Sequence, residues 1–318
     1  MNSYFVLIIP IALIIDLLVG DPFGMVHPIV LVGKLISFIR KKLGKPNKIK
    51  GFILLFLVLF ISIGSVNLLL FVISKISMSI YYGLCLYFIY ALMATGCMGT
   101  ECKRIQGYLE LSDIDNARKY TGYLVSRDTS IMEEKDLIRS VVETTSENTI
   151  DGALAPLFYC IIGAILGYPV EFILGYKVIN TLDSMVGYIT EPYKEIGYAS
   201  AKLDDIVNFI PARIGSIFMF LAGIVFGYDY KQGFNTFLKD RKKHKSPNSA
   251  HPESVVAGLL NIKIGGNDVY FDKVVEKPYI NEMGNTVQLD DIRKTFKIMA
   301  GSEMILALIG IIIMGVLI

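Results

Sequence analysis

The chain has 318 residues, of which 53% are hydrophobic and 19% are charged, and its 31 basic and 29 acidic side chains leave a formal charge of +2. Soluble domains are less apolar and carry about 25% charged residues. The composition therefore excludes a disordered chain and a disulfide scaffold, and the balanced charge predicts no nucleic-acid partner. The four cysteines show no metal-ligand spacing and are expected to be buried thiols.

Long apolar runs account for the excess of hydrophobic residues. A helix needs about 20 apolar residues to cross a bilayer. Six runs approach this length, and they are predicted as spans at 4–20, 51–74, 76–100, 152–175, 206–228 and 298–318. The predicted fold is an all-α, polytopic integral membrane protein with about five or six membrane helices, forming a single membrane-embedded domain over 1–318.

Basic residues orient these spans. Seven lysines and arginines lie between residues 34 and 50, and no acidic residue occurs between Asp21 and Glu101. Because short cytoplasmic loops are rich in Lys and Arg, we expect this loop to face the cytoplasm of a cell membrane. Two polar segments are inserted between spans, 101–151 and 229–297. Breaks are indicated at 126–129, within the first segment, and at Gly167-Tyr168-Pro169, within the fourth predicted span.

Polar side chains concentrate between residues 139 and 213. Glu143, Glu147 and Asp151 recur at every fourth position, so on a helix they share one face, where like charges repel unless a cation, a metal or a proton lies among them. A solvated face paired with Arg139 and Lys135 is an equally good interpretation of that spacing. Further polar positions follow at Lys177, Asn180, Asp183, Ser184, Asp204, Asp205, Asn208 and Arg213.

Carboxylates accompanied by Asn and Ser suit Mg²⁺, and the nearby Arg and Lys side chains suit phosphate oxygens. No Walker A sequence, no Gly-x-Ser-x-Gly elbow and no histidine-rich metal motif occurs in the sequence. The residues alone leave two readings open. One is a membrane enzyme with a phosphorylated substrate, and the other is a transporter whose acidic path includes Asp16 and Asp183.

Five ordered segments resemble the adenosylcobinamide-phosphate synthase family of cobalamin biosynthesis (CobD/CbiB). They lie at 16–28, 139–159, 176–188, 201–213 and 246–253. One departure is visible, because this chain has His251 where the family pattern has Trp before Pro-Glu. The resemblance implies an ATP-dependent ligase that joins an aminopropanol unit to a propionate carboxyl of adenosylcobyric acid. The amine would be 1-aminopropan-2-yl phosphate or a related amine, and the product adenosylcobinamide phosphate or adenosylcobinamide.

With this resemblance in view, we assign hypothetical roles to the polar residues. The catalytic candidates are Glu143, Glu147, Lys177 and Asp183. The candidates for binding substrate or ATP are Asp21, His27, Arg139, Ser146, Asn148, Asn180, Ser184, Asn208, Arg213, Asn248 and Glu253. The Mg²⁺ candidates are Asp151, Asp183, Asp204 and Asp205, with Glu143 and Glu147 as further ligands.

We expect ATP as co-substrate and the lipid bilayer around the spans. Other membrane enzymes of the pathway are further candidate partners, and the active site is expected to face the cytoplasm. Three alternative functions stay open. The first is the transporter. The second is another Mg²⁺-dependent membrane transferase, which the adjacent Asp204 and Asp205 suggest, and the third is a non-catalytic relative of the family.

Overall fold

The structure is a computed structural model that describes residues 3–22, 24–188, 192–270 and 273–317, with the backbone alone at 268–270 and 273–275. Helices make up most of the described chain, which confirms the all-α polytopic fold. In chain order they are α1 (Phe5–Val19), α2 (Pro28–Leu43), α3 (Lys48–Ile76), α4 (Met78–Leu92), α5 (Thr95–Glu110), α6 (Ile114–Leu124), α7 (Glu134–Asn148), a π-helix (Thr149–Leu154), α8 (Ala155–Leu166), α9 (Pro169–Val186), α10 (Tyr198–Val207), α11 (Phe209–Val225), α12 (Tyr230–Asp240), α13 (Ala250–Leu259) and α14 (Leu289–Leu317).

Within the described residues, four helical stretches are long and apolar enough to cross a membrane: Lys48–Ile76, Met78–Glu110, Glu134–Leu166 and Leu289–Leu317. A bent pair, α10 with α11, raises the number to five if it counts as one span. Only 28% of the apolar window of α3 is buried within the protein. Its remaining apolar surface is suited to contact lipid. A helix can cross the hydrocarbon core because it satisfies its own backbone hydrogen-bonding groups.

Two predicted spans differ from the structure. The run at 4–20 forms α1, which has 15 residues. At 1.5 Å per residue it extends about 22 Å, short of a hydrocarbon core of about 30 Å. The predicted span at 152–175 is shifted, because the candidate span Glu134–Leu166 ends before the break at Gly167-Tyr168 and Pro169 then begins α9.

The chain divides into two compact units, and the first comprises Met1–Ala94, Ala155–Asn208 and Ala307–Ile318. Helix α9 is its centre, since α9 packs against α2, α3, α4, α8 and α10. Local caps set the helix ends: the Asn47 side chain accepts from the Lys50 amide at the start of α3, and His27 Nδ1 accepts from the Ile29 amide at the start of α2.

The second unit comprises Thr95–Leu154 and Phe209–Leu306. Helix α13 packs against α7, α11 and α12, and α5 and α6 lie together beside α7. An antiparallel hairpin, β1 (Ile264–Tyr270) with β2 (Lys273–Ile280), contacts α7 through β1 and α13 through β2. Gly266 pairs with Lys277, and the register shifts between Ile264 and Gly266. The sequence indicated only turns in this region.

Candidate functional site

Glu143 lies at the centre of a buried charge cluster in the second unit. Its side chain is 2% exposed, and its Oε2 lies 2.6 Å from Arg127 Nη2. Its Oε1 accepts a hydrogen bond of 2.7 Å from the Gly265 amide and lies 3.7 Å from Arg139 Nη1. Three elements therefore meet at this one carboxylate: α7, the segment before α7, and strand β1. A buried carboxylate is tolerated only when cations and hydrogen-bond donors compensate it, as they do here.

Two further acidic residues belong to the same cluster. Glu147, one turn along α7, accepts a 2.9 Å hydrogen bond from the Ser249 hydroxyl. Glu253 on α13 is buried, and its Oε2 lies 3.2 Å from His244 Nε2. Burial, reinforced by the charges of Glu143 and Glu147, raises the pKa of Glu253 well above its usual range. Glu253 therefore retains its proton to a higher pH than an ordinary glutamic acid.

The histidine beside Glu253 is harder to protonate than an ordinary histidine. Burial lowers the pKa of His244, and the positive charge of Lys277 lowers it further. The cluster thus combines cations that compensate carboxylates with two neighbouring groups whose pKa values are perturbed, and such groups are frequent at functional sites.

Other predicted site residues of the second unit donate hydrogen bonds to backbone carbonyls of their own helix. Ser146 donates to the Val142 carbonyl and Asn148 to the Thr144 carbonyl. Arg213 donates to the Phe209 carbonyl, and its guanidinium carbon lies 3.3 Å from the centre of the Phe209 ring. It also reaches the Asn248 side-chain oxygen at 3.3 Å, so Arg213 and Asn248 lie together as a polar pair.

Asp151 lies in the π-helix, which the sequence pattern did not show. The wider π turn begins at Thr149, two residues before Asp151. The α-helical phase that would align this residue with Glu143 and Glu147 does not continue to it. Single π turns within helices are frequent at functional sites. Asp151 therefore stays a candidate site residue, separately from Glu143 and Glu147.

A hydrogen-bonded chain in the first unit connects α9 with α10. The Tyr176 hydroxyl donates to Asn208 Oδ1 at 3.0 Å, and Asn208 Nδ2 donates to Asp204 Oδ2 at 3.0 Å. The other Asp204 oxygen accepts from Asn180 Nδ2 at 3.4 Å. Tyr159 stacks on Tyr176 with ring centres 5.3 Å apart. This chain brings together three of the predicted residues, Asn180, Asp204 and Asn208, and fixes the orientation of both Asp204 oxygens.

The remaining predicted residues of the first unit have separate surroundings. Ser184 is exposed and donates to the Asn180 carbonyl, and Asp205 lies 3.7 Å from Lys202. Asp183 lies so close to Gly187 that a Cβ at this glycine would overlap its carboxylate.

The N-terminal motif forms a small polar group within the same unit. His27 Nε2 lies 3.8 Å from Asp21 Oδ1. Burial lowers the pKa of His27, and the charge of Lys177 acts in the same direction, while Asp21 opposes them. Asp21, His27 and Lys177 are thus electrostatic neighbours.

Across the described residues, no group of three or more His, Cys, Asp and Glu side chains is placed to hold a metal ion. Sequence reasoning also missed four members of the buried cluster: Arg127, His244, Ser249 and Lys277. None lies at a spacing that indicates chemistry, because each meets Glu143, Glu147 or Glu253 only through the tertiary fold. His244 could have been singled out as one of only three histidines in the chain.

Fold and site together define a multi-pass helical membrane protein with buried ionisable groups. A family model described as CobD/Cbib protein matches residues 9–299, so the chain belongs to that family. It is similar to the cobalamin biosynthesis protein CobD of Clostridium perfringens, with 38% identity over 96% of this chain and 97% of the relative. It is also similar to the proteins of that name from Listeria monocytogenes (strain EGD-e), with 40% identity over 90% and 91%, and Geobacter metallireducens, with 37% identity over 96% of each chain. No solved structure matches the chain.

Proposed function

We propose that this protein acts in cobalamin biosynthesis as an ATP-dependent ligase. It joins the amine of 1-aminopropan-2-yl phosphate, or of a related aminoalcohol, to a propionate carboxyl of adenosylcobyric acid. Family membership supports the pathway. The observation that carries the reaction class is the buried cluster of Glu143, Glu147 and Glu253 with compensating cations, because amide formation needs both a proton acceptor and an environment for anions.

The reaction has two balanced steps. The propionate carboxylate attacks the terminal phosphorus of ATP, an acyl phosphate forms, and ADP leaves. The amine nitrogen then attacks the acyl carbon, the C–O bond to phosphate breaks, and inorganic phosphate departs. Two protons leave the nitrogen: the amine enters as an ammonium ion and must lose the first proton before it has a lone pair, and the second leaves as the amide forms and is carried away by the departing phosphate. Activation is needed because a free carboxylate is electron-rich and has no good leaving group.

We assign proton acceptance to Glu147. It is half-buried, whereas Glu143 is enclosed by Arg127, Arg139 and the hairpin. Its hydrogen bond from Ser249 fixes the orientation of its carboxylate. Solvent then takes the proton from Glu147, because Glu253 retains its own proton to a raised pH and the lowered pKa of His244 disfavours its protonation. Glu143 acts as a positioning residue that holds the hairpin against α7.

In the first unit we assign substrate positioning to the chain of Tyr176, Asn208, Asp204 and Asn180, and phosphate binding to Lys177. The carboxylate of Asp204 is a hard oxygen ligand of the kind that Mg²⁺ prefers, whereas Asn180 and Asn208 direct N–H donors toward it and so orient it. Mg²⁺ commonly uses one or two carboxylates together with substrate phosphates, so it needs no cluster of three. Bound there, it would neutralise phosphate charge. Asp183 and Asp205 are the other proposed ligands in this unit, and Asp151 is a separate proposed ligand in the second unit.

We further propose that the protein resides in the cell membrane with the site at the cytoplasmic face. The basic segment between Lys34 and Lys50 supports this orientation. Labelling of single cysteines placed at Ser130 and at Lys245 in intact cells tests it, because both should react only after the membrane is permeabilised. Labelling of both from outside would overturn it.

An isotope-transfer experiment tests the proposed chemistry. Adenosylcobyric acid whose reactive carboxylate carries a heavy oxygen isotope is converted in the presence of ATP and the amine. The acyl phosphate route predicts one labelled oxygen in the released inorganic phosphate, because the C–O bond to phosphate is the one that breaks. Unlabelled phosphate alongside amide product would contradict that route.

A further inference from the structure

A polar cavity of about 320 Å³ lies in the second unit. It is bounded by the start of α7, strand β1, and the segment between β2 and α14. Its charged lining residues are Lys135, Asp136, Arg139, Lys263 and Glu282. Ligand pockets begin at about this size, and the cavity has room for a phosphoryl group.

Two consecutive glycines form one wall of the cavity. Gly265 and Gly266 have φ of +88° and +98°, which residues with side chains rarely adopt. A Cβ at Gly266 would lie 2.8 Å from the Tyr279 ring, and a Cβ at Gly265 would overlap the Pro278 carbonyl. These contacts require glycine at both positions, so one wall of the cavity consists of this backbone and the Tyr279 ring packed on it. The Gly265 amide already donates to Glu143 and is not a donor to the cavity.

The cations of the cavity differ in what they bind. Arg139 is occupied, because it donates to the Gly265 carbonyl at 2.7 Å and the Asn267 carbonyl at 3.3 Å, and lies 3.2 Å from Asp136. Lys263 lies with its Nζ 4.0 Å from the centre of the Tyr279 ring. Neither Lys263 nor Lys135 makes an ion pair in the described part of the chain, whereas Asp136 is already paired with Arg139.

We propose that this cavity binds the phosphoryl group of a phosphorylated substrate, with Lys263 as its main cationic contact and Lys135 as the second. The inference rests on the proposed function, in which two substrates carry such a group, namely ATP and the aminoalkyl phosphate. Arg139 holds the Gly265-Gly266 wall in place, because it donates to the Gly265 carbonyl.

Equilibrium binding to the full-length protein in detergent micelles tests the proposal. The probes are ATP, 1-aminopropan-2-yl phosphate and inorganic phosphate, each titrated separately. Lys263→Met should weaken binding of at least one phosphate-bearing probe about tenfold, as expected for loss of one charge-assisted contact. Gly266→Ala should weaken binding of the same probe, because its Cβ would displace the Tyr279 ring against which Lys263 lies. Lys231→Met, an exposed lysine on α12, is the matched control and should leave all affinities unchanged.

The pattern of loss identifies the source of the phosphoryl group. Loss confined to ATP assigns the cavity to the nucleotide, and loss confined to the aminoalkyl phosphate assigns it to the amine substrate. Unchanged affinities in Lys263→Met, or a wild-type protein that binds none of the three probes, would overturn the inference. Wild-type turnover is measured in parallel: product formed with affinities unchanged in the variant refutes this cavity alone, and absence of product refutes the proposed function.

Discussion

Arg127 Nη2 lies 2.6 Å from Glu143 Oε2, and the two side chains are only 6% and 2% exposed. Arg127 also donates to the Ser140 hydroxyl at 3.2 Å. The ion pair connects the segment before α7 to a carboxylate that also holds the Gly265 amide. Glu143 therefore contacts both the segment before α7 and the hairpin of the second unit.

Removal of one member of this ion pair should lower the stability of the folded protein. Arg127→Met leaves the Glu143 charge buried with less compensation, and the free energy of unfolding should fall by about 3–5 kcal/mol. Arg293→Met is the matched control, because Arg293 lies 2.7 Å from Asp290 with both side chains exposed, and such pairs contribute about 1 kcal/mol or less. Denaturant titrations in the same detergent compare the two variants. Equal losses would contradict the structural role of the buried pair.

Alanine substitutions at two glycines of α3 should have different effects on stability. A Cβ at Gly51 would overlap the Ile196 carbonyl, so Gly51→Ala should lower the free energy of unfolding by about 1–3 kcal/mol. A Cβ at Gly64 meets nothing within 4 Å, so Gly64→Ala should be neutral or stabilise by up to about 1 kcal/mol. Thermal midpoints of the two variants test this. A Gly51→Ala protein as stable as the wild type would show that helix α3 does not approach Ile196 this closely.

His251 should make stability depend on pH in the acidic range. Burial, together with the charge of Arg213, lowers the pKa of this histidine from 6.5 to about 4. Between these values the unfolded chain binds the proton and the folded protein does not, so the stabilisation is complete above pH 6.5 and is lost as the pH falls through about 4. His251→Gln should flatten this part of the stability profile. An unchanged acid limb in the variant would exclude His251 as its source.

Asp204 should be required for turnover because it holds two amide side chains in place. Asp204→Asn converts one accepting oxygen into a donor that faces Asn180 or Asn208, and we expect kcat to fall about hundredfold, as for a mispositioned substrate. Asp115→Asn removes a carboxylate that is 95% exposed and serves as control. Initial rates of amide formation give the comparison. A loss below tenfold would remove Asp204 from the site.

Local sequence signals predicted several features of the fold correctly. The charge-free runs identify α3 and the span that begins at Met78. The predicted break at 126–129 falls between α6, which ends at Leu124, and α7, which begins at Glu134. Gly167-Tyr168-Pro169 likewise separates α8 from α9. These features follow from hydropathy and from Gly and Pro, which act within a few residues.

Long-range contacts explain what the sequence did not show. The Gly265 amide that binds Glu143 lies 122 positions away in the chain, and the hairpin contained only turn signals in its sequence. His244 contacts Glu253 and the charge of Lys277 acts on both groups, which no spacing in the sequence indicates. The same limit applies to Arg139, a candidate for phosphate, whose hydrogen bonds in the structure go to the hairpin backbone and Asp136.

Amide formation by the purified protein tests the central claim most directly. Wild-type protein in detergent is supplied with adenosylcobyric acid, 1-aminopropan-2-yl phosphate and Mg²⁺, with and without ATP, and products are identified by mass. A ligase predicts adenosylcobinamide phosphate only when ATP is present, with ADP formed in equal amount. Product that appears at the same rate without ATP would contradict the account. So would consumption of ATP with no amide formed from either 1-aminopropan-2-yl phosphate or the unphosphorylated amine.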